Sequence, residues 1–196
     1  MNESKKFNIF YNLAFVYLTL GISTFTDSCV AYFLFSLLYM ELVIFIGLQA
    51  SGKSTFFCTH LAATHQLVSK DQLRNNKNRA KRQAHLIENA LQAGISVVVD
   101  NTNPTVEDRA LLIQLGNKYD AQIVGYYFES LLSYCLERNR QREGKARVPD
   151  VAIYATIKKL VRPSYVEGFH KLFYASMVDN GAFDVCVWNE DEVIHG

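Results

Sequence analysis

Four groups of residues in this chain have the types and spacing to do chemistry on phosphate. The first is the run Gly47-Leu48-Gln49-Ala50-Ser51-Gly52-Lys53-Ser54, followed by Thr55, with the spacing Gly-x-x-x-x-Gly-Lys-Ser/Thr of a phosphate-binding loop. Glycines at both ends let the backbone turn tightly enough for N–H groups to face an anion, and the helix that follows offers its positive end. Lys53 is then the residue to hold the β and γ phosphates of ATP, and the Ser54 hydroxyl suits Mg²⁺, a hard cation that prefers oxygen.

The second group is Ser69-Lys70-Asp71-Gln72-Leu73-Arg74, just after an apolar run. A carboxylate at this place can accept the proton of an attacking hydroxyl, which makes Asp71 a candidate general base; its competing role is a helix cap. Arg74 is a candidate clamp on an acceptor phosphate, or else one more solvated charge in the basic run that continues through Lys77, Arg79, Lys81 and Arg82. Third comes Val97-Val98-Val99-Asp100-Asn101-Thr102-Asn103-Pro104. An apolar strand ending in an acid suits Asp100 to ordering magnesium together with Ser54, or to orienting a substrate. Asn101, Thr102 and Asn103 have capping of the next helix as their simpler role, and for the latter two that role is preferred. Fourth is the cluster from Arg138 through Arg140, Arg142 and Lys145 to Arg147, running into a glycine-proline loop. With a phosphate loop in the same chain it reads as a lid, with Arg138 and Arg142 four apart on one helix face and directed at the transferring phosphates.

These residues need a scaffold, and the pattern supplies one. Strand-like runs at 41–46, 66–69, 95–99, 121–128 and 183–188 alternate with helical stretches at 53–62, 79–92, 104–117, 130–141 and 150–161. That alternation predicts an α/β fold, a five-stranded parallel sheet sandwiched by helices. Gly94 reads as a helix stop and Pro104 as a first-turn residue. In such sheets ligands bind beyond the carboxyl ends of the strands, where all four groups fall.

With 196 residues, 49% of them hydrophobic, the chain can bury one ordinary core. A formal charge of +1 excludes the crude signature of a protein that coats nucleic acid, so an anionic partner must meet a local patch. Cys29, Cys58, Cys135 and Cys186 lie far apart, which argues against a zinc site or a disulfide framework. Reduced, mostly buried thiols and a cytoplasmic location are expected. Residues 7–39 are apolar with Asp27 as their interior charge, after Lys5 and Lys6. A dispensable or mis-assigned leader, a membrane anchor and a packed helix are three readings of this extension; the first is preferred, with Met40 opening a kinase domain over 40–196.

Together, the loop at 47–54, Asp71 with Arg74, the run from Val99 to Pro104, the arginines at 138–147, and Tyr154 through Pro163 to Glu167-Gly168-Phe169 resemble the kinase domain of the polynucleotide kinase family. The likeness is greatest to the kinase half of polynucleotide kinase 3′-phosphatases. It implies a P-loop kinase that moves the γ-phosphate of ATP to the 5′-hydroxyl of DNA or RNA. On that pattern Lys53 and Ser54 bind phosphates and magnesium, Asp71 is the base, Arg74 contacts the acceptor phosphate, Arg142 is the lid arginine, and Asp100 is a carboxylate of the cleft. The sequence carries no stretch resembling the Asp-x-Asp-Gly-Thr phosphatase motif and no forkhead-type module. The expected partner is therefore a nucleic acid 5′ end, with no stable protein partner inferred and a membrane involved only if 7–39 is a span. Two other functions stay open: a small-molecule or toxin-type kinase with the same parts, and a nucleotide-switched module with no phosphoacceptor.

Overall fold

The run Leu42-Val43-Ile44-Phe45-Ile46 is fully buried and forms most of the central strand, β1 (Glu41–Ile46). The computed structural model describes residues 40–73, 75–178 and 181–190. Beside β1 lie β3 (Val97–Val99) and β4 (Gln122–Phe128), both parallel to it; β2 (Gln66–Val68) pairs outside β3 and β5 (Lys171–Met177) outside β4. The order is β2-β3-β1-β4-β5-β6, with β6 (Phe183–Val187) antiparallel at the edge.

Alternation along β1 sorts its side chains onto two faces. Leu42, Ile44 and Ile46 pack with Ile87 and Leu91 of α2 (Arg79–Gln92) and with Leu112 and Ile113 of α3 (Val106–Lys118). Val43 and Phe45 face the other way, against Phe56 and Phe57, where the short α1 (Lys53–Phe56) passes into a π-helical turn, Phe57–Leu61. A strand covered on both faces needs to be apolar at every position, which is why β1 reads as a continuous run. A third cluster joins Leu48 of the loop after β1 to Cys135 and Leu136 of α4 (Leu132–Arg140) and Ile153 of α5 (Asp150–Ile157). The phosphate-type loop and the arginine-bearing hairpin thus share one small core.

The α/β sandwich is as expected, and five of its strands are parallel, but the fifth is β5, which the sequence pattern did not reveal. Its apolar run, Leu172-Phe173-Tyr174-Ala175, is short and lies between Lys171 and Ser176, and only Leu172 and Ala175 are buried. The segment expected at 183–188 is instead the antiparallel edge strand, mostly exposed. Gly94 follows α2 at φ +76°, a backbone that favours glycine, as expected of a stop. Pro104 lies outside α3, whose cap is Thr105; its hydroxyl accepts from Asp108 N–H at 3.2 Å. Cys58 and Cys186 are exposed and only Cys135 is buried, so the expectation of mostly buried thiols does not hold for these three. Residues 1–39 and Arg74 lie outside the described residues, and with them the readings of a leader, a span or a packed helix. Among the described residues no helix is long and apolar enough to cross a membrane.

Candidate active site

The loop from Gly47 to Ser54 leaves the carboxyl end of β1 and enters α1. Gly47 at φ +143° and Gly52 at φ +100° adopt backbone that side chains rarely allow, and a Cβ on Gly47 would sit 3.1 Å from Phe128 O and from Ser130 Oγ. Ala50 holds φ +63° without being glycine, a strained position inside the loop. The loop is propped from three sides: Gly47 N–H donates to Thr102 O at 3.0 Å, Leu48 N–H to Ser130 Oγ at 3.1 Å, and Gln49 Nε2 to Thr156 Oγ1 of α5 at 3.0 Å.

Lys53 is buried and folds back over its own loop. Its ammonium donates to Gly47 O and Ser51 Oγ, both at 3.1 Å, and to Leu48 O. Burial pushes its pKa down to about 8; Asp100 and, more weakly, Asp71 draw it back up, while Arg142 lowers it further. Ser54 Oγ donates to Asp100 Oδ2 at 2.6 Å, so the hydroxyl and the acid at the end of β3 meet, as the parallel pairing of β1 and β3 requires. Two oxygen donors this close, beside a loop built for anions, fit the donor chemistry of magnesium.

Asp71 lies in a 3-10 turn, Lys70–Leu73, directly after β2 and exposed to solvent. Its capping role goes to Ser69, whose Oγ accepts from Asp71 N–H at 3.3 Å. Asn101 Oδ1 accepts from Lys70 N–H at 3.0 Å and so pins this turn to the end of β3. The expectation that Thr102 and Asn103 cap α3 is overturned: Thr102 O holds Gly47, and Asn103, at φ +39°, donates through Nδ2 to Phe45 O at 2.7 Å. Both serve the loop and not the helix.

In the basic cluster, α4 stops at Arg140, so Arg142 is not on a helix face shared with Arg138. Burial raises the pKa of Cys135, and the positive charges of Lys53, Arg138 and Arg142 oppose that rise. Arg140, Lys145 and Arg147 are exposed; Arg138 and Arg142 are half-buried. Thr55 is exposed in the first turn of α1.

Residues 42–163 match the family described as AAA domain. The chain belongs to this family. It is 28% identical over 137 residues to a bifunctional polynucleotide phosphatase/kinase of Schizosaccharomyces pombe, covering 67% of this chain and 32% of that protein. Over 155 residues it is 31% identical to a putative bifunctional polynucleotide phosphatase/kinase of Acanthamoeba polyphaga mimivirus, covering 71% and 35%. The chain thus spans about a third of the length of these relatives. Among solved structures, a gluconokinase from Sinorhizobium meliloti 1021 superimposes with a TM-score of 0.50 at 16% identity, covering 70% of this chain and 83% of that one. That likeness is one of fold: a P-loop kinase-type α/β domain.

This AAA domain also uses residues that the sequence did not mark. Ser130 accepts from Leu48 N–H and donates to Phe128 O at 2.8 Å. Asn139, fully buried among the arginines, donates to Val148 O at 2.8 Å and to Asp150 Oδ1 at 3.0 Å and accepts from Val148 N–H at 3.1 Å. It staples the loop between α4 and α5. Its one legible signal is an amide within a run of charges, which is weak.

Proposed function

We propose that residues 40–196 form an ATP-dependent kinase domain that transfers the γ-phosphate to a hydroxyl acceptor, the 5′-hydroxyl of a polynucleotide. The observation that carries this reading is a set of contacts around the buried Lys53: Ser54, next to it on the loop, donates to Asp100 Oδ2 at 2.6 Å, and Asn101, next to Asp100, pins the turn that bears Asp71 at 3.0 Å. A site that only held nucleotide would have no use for a solvent-facing acid such as Asp71. In the reaction Asp71 accepts the proton of the acceptor hydroxyl, while Lys53 and Arg142 stabilise negative charge on the moving phosphoryl group. Backbone and side chains from Gly47 to Thr55, with Arg138 and Arg142, hold the triphosphate, and Ser54 with Asp100 would hold magnesium. Magnesium, when bound, neutralises phosphate charge between donor and acceptor. Dependence on ATP suits a cytoplasmic enzyme.

The polynucleotide acceptor is supported by the names of the two relatives and by exposed Lys77, Arg79, Lys81 and Arg82 following the Asp71 turn. Arg74 extends that basic run in sequence and is assigned to the acceptor phosphate. A second reading, transfer to a small hydroxyl compound such as a sugar or nucleoside, is favoured by one observation: residues 70–82 contain no aromatic side chain on which a base could stack. The test is incubation of the full chain with γ-labelled ATP and a panel of 5′-hydroxyl oligonucleotides, nucleosides and sugars. Label on oligonucleotides alone is expected. Label on a small molecule alone would support the second reading, and hydrolysis with no labelled acceptor would indicate a nucleotide-switched module.

A further inference from the structure

The stretch from Asp100 to Pro104 is the distributor of the site, and its far side is held by a buried pair of residues. Arg109, on α3, is fully buried, and its partner Glu167 nearly so. The guanidinium meets the carboxylate in two places, Nε to Oε2 and Nη2 to Oε1, each at 2.7 Å. Its remaining nitrogen, Nη1, donates to Asn103 O at 3.2 Å, Pro104 O at 3.3 Å and Val161 O at 3.1 Å. Glu167 in turn accepts from Ser164 N–H at 3.1 Å, within a capping box that fixes the turn Tyr165–Glu167. Val161 N–H closes the ring by donating to Pro104 O at 2.8 Å.

On the near side, the same stretch touches every candidate element on this side of the site. Asp100 meets Ser54, Asn101 meets the turn that bears Asp71, Thr102 meets Gly47, and Asn103 meets the end of β1. Asn103 does so from a left-handed backbone, which persists only where its surroundings over-determine it. A planar fork that stays charged suits the task, because it can bind a carboxylate edge-on and still reach main-chain carbonyls. A lysine has the charge but not the fork.

We propose that Arg109 and Glu167 are a buried positioning pair that sets the Asp100 loop against the phosphate loop and the Asp71 turn. Its consequence for nucleotide binding rests on the proposed function; the positioning itself does not. Removal of a member is felt at two distant places, Gly47 and Lys70, whose N–H groups both bond to this stretch.

The experiment uses the full chain carrying Arg109→Lys or, should that variant not fold, Glu167→Gln, which keeps the shape of the carboxylate. Hydrogen exchange read by mass spectrometry is expected to speed up by about 10-fold at 45–49 and at 69–72, with the centres of β4 and α3 unchanged. Acceleration confined to 161–168, or spread evenly over the whole domain, would overturn the proposal. In the same variants affinity for ATP with magnesium is expected to fall by about 10-fold and affinity without magnesium to change little, as befits a group that orients a ligand from behind. Equal losses under both conditions would also overturn it. Failure of the unsubstituted chain to bind nucleotide at all would instead sink the functional reading and leave the exchange result to judge the pair.

Discussion

On the phosphate-loop side, Lys53 donates to Gly47 O and Ser51 Oγ of its own loop, Gly47 to Thr102 O after β3 and Leu48 to Ser130 Oγ after β4, while Asp100 accepts from Ser54 Oγ. On the lid side, Arg140, Lys145 and Arg147 stand exposed, and Asn139 ties the loop that follows α4 down at Val148. The first region is arranged before any ligand arrives. The second carries most of its charge at the surface. Rigid donors stabilise a developing charge without reorganising, whereas mobile ones bring selectivity and exclude water. On the proposed function, this difference gives most of the phosphate grip to the loop side and the tuning of transfer to the arginine cluster.

Breaking the loop side is expected to have the largest effect. Lys53→Ala should leave no measurable transfer from labelled ATP, because no other cation is buried in that loop. Arg142→Ala, on the lid side, should lower kcat by about 10²-fold in the same assay, the usual loss for one donor to a developing charge, and affect ATP affinity much less. Equal losses in the two variants would erase the contrast. Asn139→Ala leaves Val148 with an unpaired N–H and C=O, and is expected to cost about 2 kcal/mol, lowering the melting temperature measured by circular dichroism.

The smallest effect is in pH. Lys53 titrates near 8 in the folded chain against 10.5 for a free lysine, so the unfolded chain binds the extra proton between those values and stability rises with pH across that window. A triphosphate favours the charged form, so affinity for ATP should decline as pH rises past about 8. Binding at pH 8 should then take up about half a proton, seen as a dependence of calorimetric enthalpy on the buffer's ionisation heat. Enthalpies independent of buffer would mean that Lys53 is already fully charged there.

Much of the loop side could be read from sequence because its signals are local. A glycine-bounded run after a continuous apolar strand needs no partner to be recognised, and an acid ending a second such strand follows the same logic. What was not legible depends on distance along the chain. Arg109 finds Glu167 58 residues away and Ser130 meets Leu48 82 residues away, and nothing in their neighbours announces it. Thr102 acts through its carbonyl, which sequence does not distinguish from any other. β5 escaped for a physical reason as well: with the exposed antiparallel β6 beside it, it is only partly buried on both faces, and its apolar run is cut to four residues. The reading of Arg138 and Arg142 as helical neighbours failed because α4 ends early, at Arg140.

The central claim is that the phosphate loop grips a triphosphate while Asp71 faces it as a base. The most direct test is Asp71→Ala, with ATP affinity and single-turnover transfer to the best acceptor measured on the same preparation. Transfer is expected to slow by about 10³-fold with ATP affinity within about two-fold of the unsubstituted chain. Near-normal transfer would contradict the account and remove Asp71 from the chemistry.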